Sequence, residues 1–185
     1  MKKKIKEETY TDGWYRMMAK TTTREQQTIG DLSPEELALC LIYRFGGVVP
    51  GALYMQKLGF LIAYEGKPGD KLQIKLEYHP YNLGPYSIKL VEALDKISRQ
   101  RKVYIKEQVT DKYNKEIYFL TNEGRCDAQR IMDSLDSHSK EYLNNICDGA
   151  KQLGYNGILR YIYTRYPKFA TKSKIKKDVY ASFNY

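Results

Sequence analysis

Cysteine and histidine are scarce: the chain has three cysteines and two histidines in 185 residues. Cys40, Cys126 and Cys147 stand far apart without paired spacing, which argues against a disulfide framework and against a zinc site. They read as buried or half-buried thiols on helices. Long apolar runs are missing too. The longest, Leu37 to Phe45, carries Arg44 and falls well short of the ~20 residues that a membrane helix requires. No membrane partner is expected. The start, Met1-Lys-Lys-Lys-Ile-Lys6, is basic like a secretory leader, but Glu7-Glu8-Thr9 follows where an apolar stretch belongs. A cytoplasmic location is expected.

Charge and tyrosine are plentiful. Charged residues make up 29% of the chain and hydrophobic residues 42%, which is the balance of a globular protein and excludes a wholly disordered chain. There are 18 tyrosines, each able to pack and hydrogen-bond at once. The net charge of +9 is unevenly spread. Residues 1–33 carry +2, residues 34–150 are neutral, and residues 151–185 carry +7. Lys168, Lys172, Lys174, Lys176 and Lys177 hold most of that excess. Such a cluster is an electrostatic footprint for a polyanion, or equally a solvated, solubilising tail.

Residues 1–32 show little hydrophobic periodicity and read as a polar extension. Within them Asp12 can cap a short helix carrying Trp14, Met17 and Met18. The first firm helix starts at Ser33-Pro34-Glu35-Glu36, where serine caps, proline takes the first helical position and Glu36 closes a capping box. Leu37, Cys40, Leu41 and Phe45 share a face, and Gly46-Gly47 stops the helix. A second helix runs from Ala52 to about Glu65 with apolar residues on more than one face, as in a central helix. After a turn over 66–70, Leu72-Gln-Ile-Lys-Leu-Glu-Tyr78 alternates without a break, which predicts a half-buried strand.

His79 to Gly84 reads as a loop, and Pro85 opens a third helix to about Arg99, with Leu90, Val91, Leu94 and Ile97 inward. Two strands, Lys102 to Val109 and Lys115 to Leu120, form a hairpin across the turn at 111–114. Thr121 caps a helix whose inward face is Ala128, Ile131, Met132 and Leu135. Further helices carry Tyr142, Leu143, Ile146, Ala150 and Leu153, then Ile158, Leu159, Ile162, Tyr163 and Tyr166 up to Pro167. Thr171 to Tyr180 predicts a basic helix.

The order helix, helix, strand, helix, hairpin, helix is that of a winged helix-turn-helix domain. The expected fold class is therefore α+β: a winged-helix core over 33–136 with a helical, basic C-terminal extension over 137–185. Leu120-Thr-Asn-Glu-Gly-Arg125, at the exit of the last wing strand, resembles the same point in many winged-helix regulators. A narrower resemblance lies in Tyr81-Asn-Leu-Gly-Pro-Tyr-Ser87, preceded by the helix Met55-Gln-Lys-Leu-Gly-Phe-Leu61. Together with the tail Tyr163 to Ile175, these segments resemble the SocA-like antitoxin (Panacea) domain and the related YwgA-like proteins. The match spans roughly residues 37–178. The resemblance implies a winged-helix core, no established catalytic residues and, in some members, neutralisation of a toxin.

Tyr86 and Ser87 stand at a helix start, where a phosphate or a partner carboxylate can meet backbone N–H groups. Alternatively Tyr78, Tyr81 and Tyr86 pack this loop against the second helix. The leading expectation is a DNA-binding protein acting in gene regulation or in an antitoxin-like role, with contacts from Tyr86, Ser87, Lys89, Lys96, Arg99, Arg101 and Lys102, from Lys112, Tyr113 and Lys115 of the wing, and from Lys172, Lys174, Lys176 and Lys177. Glu92 and Asp95 on the third helix, and Glu107, Asp111 and Glu116 on the wing, oppose phosphate. These acids favour a protein–protein adaptor, the competing reading. A homodimer is the commonest arrangement for such a domain.

Catalytic signatures are few. His79 and His138 have no Cys or carboxylate cluster at metal spacing. Gly66-Lys67-Pro68 lacks the first glycine and the hydroxyl residue of a phosphate loop. Glu65-Gly66-Lys67 lacks the upstream aspartate of a nuclease motif. A non-enzymatic binding protein is expected, with no cofactor and no metal.

Overall fold

Ser33 caps the first helix as its sequence dictates. Its hydroxyl accepts from Glu36 N at 3.2 Å, and its own N–H donates to Glu36 Oε2 at 2.8 Å. That helix, α1 (Pro34–Arg44), buries every side chain from Leu37 to Ile42, so it lies inside the core rather than on its edge. The computed structural model describes residues 26–65, 70–109 and 114–181. The short helix expected after Asp12 lies outside the described residues.

Gly46 and Gly47 both adopt positive φ, which lets the chain reverse at once into β1 (Val48–Val49). The second helix, α2 (Ala52–Glu65), is buried continuously from Tyr54 to Ala63. Its apolar residues from Tyr54 to Ala63 pack on more than one face, against α1 and the C-terminal helices, while Leu53 at its start stays exposed.

The strand expected over 72–78 is not there. Residues 70–76 form a helix, α3 (Asp70–Leu76). Leu72 and Leu76 are fully buried, whereas Ile74 is 70% exposed. An alternating pattern contains the i, i+4 pair that a helix buries, so both readings fit Leu72 and Leu76. The anchors decide between them. Lys75 Nζ donates to the carbonyls of Gly30, Asp31 and Leu32, and Gln73 Nε2 donates to Ala63 O at 3.1 Å. Those bonds fasten α3 between α2 and a 3-10 turn at Ile29–Asp31.

The loop expected over 79–84 is a small hairpin, β2 (His79–Tyr81) and β3 (Gly84–Tyr86), turning on Asn82 and Leu83. The third helix therefore starts later than Pro85 predicts. It is α4 (Ile88–Arg99), capped by Ser87, whose Oγ accepts from Leu90 N at 3.1 Å. Leu90, Ala93, Leu94 and Ile97 form its buried face; Ala93 joins them and Val91 is half-buried.

The hairpin over 102–120 is present as β4 (Val103–Val109) and β5 (Asn114–Leu120), in register from Val103 with Leu120 to Val109 with Asn114. β1 adds to β5, pairing Val48 with Phe119, so the sheet order is β1–β5–β4. Thr121 caps α5 (Asn122–Ser134) by accepting from Gly124 N at 3.1 Å. A Cβ at Gly124 would stand 1.9 Å from Lys102 O; only glycine lets α5 close on the start of β4.

The two helices expected after residue 137 are present within Ser137–Arg165, here labelled α6 as a whole, and they meet at Gly154, whose φ of 63 is not helical. A 3-10 turn (Pro167–Ala170) and a short α7 (Lys176–Ala181) complete the chain. The helix expected over 171–180 is thus confined to its second half. The fold is mixed α+β, with two small antiparallel sheets. One apolar core runs from Ile29 to Val179, through α1 and α2 to the C-terminal helices. Ile29 and Leu32 belong to it, so residues 26–32 pack with the body, and Ile29 N donates to Ser139 Oγ. Among the described residues, no helix is long and apolar enough to cross a membrane.

The tyrosines explain themselves as struts. Three hydroxyls donate to carbonyls of α2: Tyr78 to Gln56 O, Tyr142 to Leu61 O and Ile62 O, and Tyr166 to Tyr64 O. Their rings meanwhile fill the core. Phe60 sits among Tyr64, Tyr78, Tyr166 and Phe169 at centroid distances of 4.4 to 5.3 Å.

Candidate functional site

Gln56 and Lys57 are polar residues on a helix with no polar side. Both are buried, at 2% and 1% exposure. A buried amide or ammonium must find partners, and these find them in the segment that enters α4. The Gln56 amide brackets Ser87: Oε1 accepts from Ser87 N at 2.8 Å, and Nε2 donates to Ser87 O at 2.9 Å. This replaces a strand partner with one side chain. Lys57 Nζ donates to Pro85 O at 2.9 Å. Ser87 Oγ donates to Leu76 O, so the same residue joins α2, α3 and α4.

Gln56-Lys57-Leu58 and Gly84-Pro85-Tyr86-Ser87, far apart in sequence, thus form one contact. Gly84 has φ 90, and a Cβ there would stand 2.8 Å from the Tyr163 ring. At this point the hairpin comes against α6. The 3-10 turn and the residues after it close the other side, with Lys174 N donating to Asn82 O.

Beside this lock is an open recess of about 180 Å³, lined by Leu53, Lys57, Tyr81 to Gly84, and Tyr86. Its lining is mainly apolar. Tyr81 and Tyr86 rings lie 5.1 Å apart, with His79 5.7 Å from Tyr86. Tyr81 is 48% exposed and Leu53 39%, so the rim is an exposed aromatic and aliphatic surface. Burial lowers the Lys57 pKa from its usual value to about 7, with no neighbouring charge contributing.

The residues expected to contact DNA fall into separate groups. Ser87 is fully buried and its polar atoms are spent inside the fold, so it is a cap and not a surface contact. Tyr86 is half-buried and walls the recess. Lys89 pairs with Glu92 at 3.6 Å and Lys96 with Glu35 at 2.6 Å. Lys102 pairs with Asp127 at 2.8 Å, and Asp127 also holds Arg130. These ammonium groups hold the Glu35 and Asp127 carboxyls below their usual range. The face formed by α4, α1 and α5 is thus a neutralised ion-pair surface. Arg99 and Arg101 are exposed at its edge. Lys112 and Tyr113 lie outside the described residues, and Lys115 stands on β5 opposite Gln108.

Lys172, Lys174, Lys176 and Lys177 are exposed, and none forms an ion pair among the described residues. They follow the segment that packs on the β2–β3 hairpin. Among the described residues no group of His, Cys, Asp and Glu is placed to hold a metal ion.

In the sequence Lys57 looks like an ordinary surface lysine. One signal was present: α2 is apolar all round, which leaves no wet side for it. No family model, curated protein or solved structure matches this chain.

Proposed function

We propose that this chain is a winged-helix binding protein that grips a protein partner through the β2–β3 hairpin and the start of α4. Binding, not catalysis, is its role. The winged-helix reading is supported by the sheet order β1–β5–β4 and by α4 preceding the β4–β5 wing. The insertion of α3 and the β2–β3 hairpin ahead of α4 distinguishes this version. The resemblance to SocA-like and YwgA-like proteins supports the same class and, through members that neutralise a toxin, an antitoxin-like role.

The observation that carries the partner reading is a contrast between two surfaces. On α4, Lys89 and Lys96 stand beside Glu92 and Glu35, carboxylates that repel a phosphate brought to the same face. Tyr81 of the hairpin and Leu53 of α2 instead stand exposed around a recess. Aromatic residues at the rim of a depression are the usual anchors of protein interfaces.

Capture from the native host tests this. The same protein should be recovered with and without nuclease. Tyr81→Ala should weaken its recovery at least tenfold, while Lys89→Gln with Lys96→Gln leaves it unchanged. Recovery that disappears with nuclease would replace this reading by a nucleic-acid one. The exposed lysines Lys172, Lys174, Lys176 and Lys177 favour that second reading. It predicts affinity falling by about 0.9 log unit per phosphate contacted for each tenfold rise in salt.

A further inference from the structure

The Lys57 amine has an unusual setting. It is buried, yet its side chain lines a recess open to solvent. An ammonium carries three donors, and among the described residues its one hydrogen-bond acceptor is Pro85 O. The neighbouring Gln56 already locks the same segment with two bonds. Lys57 itself lines the recess, and the residues on either side of its acceptor Pro85, Gly84 and Tyr86, line it too. Among the described residues no ion pair includes it.

The surroundings narrow the ligand. Desolvated cations favour anions that can accept strong, charge-assisted hydrogen bonds. Tyr81 and Tyr86 supply ring faces and edges, and Leu53 and Leu83 supply apolar contact. A space of about 180 Å³ is smaller than the sites of drug-sized ligands. A doubly charged phosphate would meet one cation in a mainly apolar cup, which repays its desolvation poorly. A single carboxylate on a small flat or aliphatic body matches both charge and lining.

We propose that the recess between α2 and the β2–β3 hairpin binds a small monocarboxylate, with the Lys57 ammonium as its counter-ion and Tyr81 and Tyr86 against its body. The site goes beyond the partner reading and does not depend on it, because a free small molecule occupies it. The groups facing it are known. Tyr81 and Tyr86 come from the hairpin, with His79 behind them. Tyr78 is held on Gln56 O, and Tyr163 lies under Gly84. None of these brings a carboxylate to compete with the ligand.

Benzoate is the probe, and benzamide its uncharged counterpart. Full-length wild-type protein is titrated with each by calorimetry and by amide chemical-shift mapping. Benzoate should bind at least tenfold more tightly than benzamide, and the shifted amides should centre on Leu53, Asn82 and Gly84. With Lys57 near pKa 7, benzoate affinity should fall at least tenfold from pH 6 to pH 8.5. Binding at pH 8.5 should also take up about one proton. Lys57→Met should abolish the benzoate preference, while Lys172→Gln with Lys174→Gln leaves it in place. Equal binding of the two probes overturns the proposal, as does no benzoate binding. So do shifts confined to the C-terminal lysines, or an affinity that does not change with pH. The wild-type titrations decide the matter even if Lys57→Met fails to fold.

Discussion

Gln56→Ala should lower the unfolding free energy by about 4 kcal/mol, seen as a fall of about 2 M in the urea midpoint. The substitution deletes both bonds to Ser87 and leaves a buried N–H and a buried carbonyl unpaired. Each such orphan costs about 1–3 kcal/mol, and the vacated volume adds to that. The change should loosen the α2, α3 and α4 junction together, because Ser87 also bonds Leu76 O and caps α4. Gln73→Ala is the internal comparison. It deletes one half-buried bond, to Ala63 O, and should cost about 1 kcal/mol. Equal losses for the two variants would show that Gln56 is not the lock.

The other large effect is a dependence of stability on pH centred on Lys57. Its amine is held near pKa 7 in the fold by burial, whereas the unfolded chain restores about 10.4. Between those values the unfolded state binds the extra proton, so stability rises with pH from 7 toward 10. The slope reaches about 1.4 kcal/mol per unit. Below pH 7 both states carry the proton and this dependence vanishes. Above pH 10 the trend reverses. Burial holds the pKa of Tyr78, Tyr118 and Tyr155 above the usual tyrosine value, so there the unfolded state loses protons first. Lys57→Met removes the rising limb. Relative to wild type, its stability should be about 3 kcal/mol better at pH 7 than at pH 9.5. Parallel urea midpoints for the two proteins across that range would refute the buried-amine assignment.

The sequence was most readable where a single local rule governs. Ser33 and Thr121 cap their helices as their spacing dictates, and the hairpin over 102–120 needs only its own strands and turn. The reading failed where tertiary partners decide. Leu72 and Leu76 suit a strand or a helix equally, and Lys75 reaching three carbonyls of residues 30–32 selects the helix. β1 is two residues long between Gly46-Gly47 and Pro50-Gly51, too short for any alternation to register. Pro85 looks like a helix opener, but it occupies β3, because Gln56 fixes Ser87 as the cap.

The candidate site was legible only in part. The tyrosines of the hairpin were visible, and both of their roles are used: Tyr78 packs the core, while Tyr81 and Tyr86 face the recess. The cations of α4 and Lys102 were visible as well, and so was Glu92 beside Lys89, but the acids that meet Lys96 and Lys102 were not. Glu35 lies on α1, and Asp127 on α5, so only the folded chain brings these acids onto them. Lys57 was hidden by the opposite effect. Its type suggests solvent, and only the all-round burial of α2 reveals otherwise.

Photocrosslinking in the native host tests the partner reading most directly. A benzoylphenylalanine is placed at Tyr81 in one strain and at Lys89 in another, and adducts are compared before and after nuclease. The account predicts a discrete, nuclease-resistant protein adduct from position 81 and none from position 89. A nuclease-sensitive adduct from position 89, with no adduct from position 81, would contradict it.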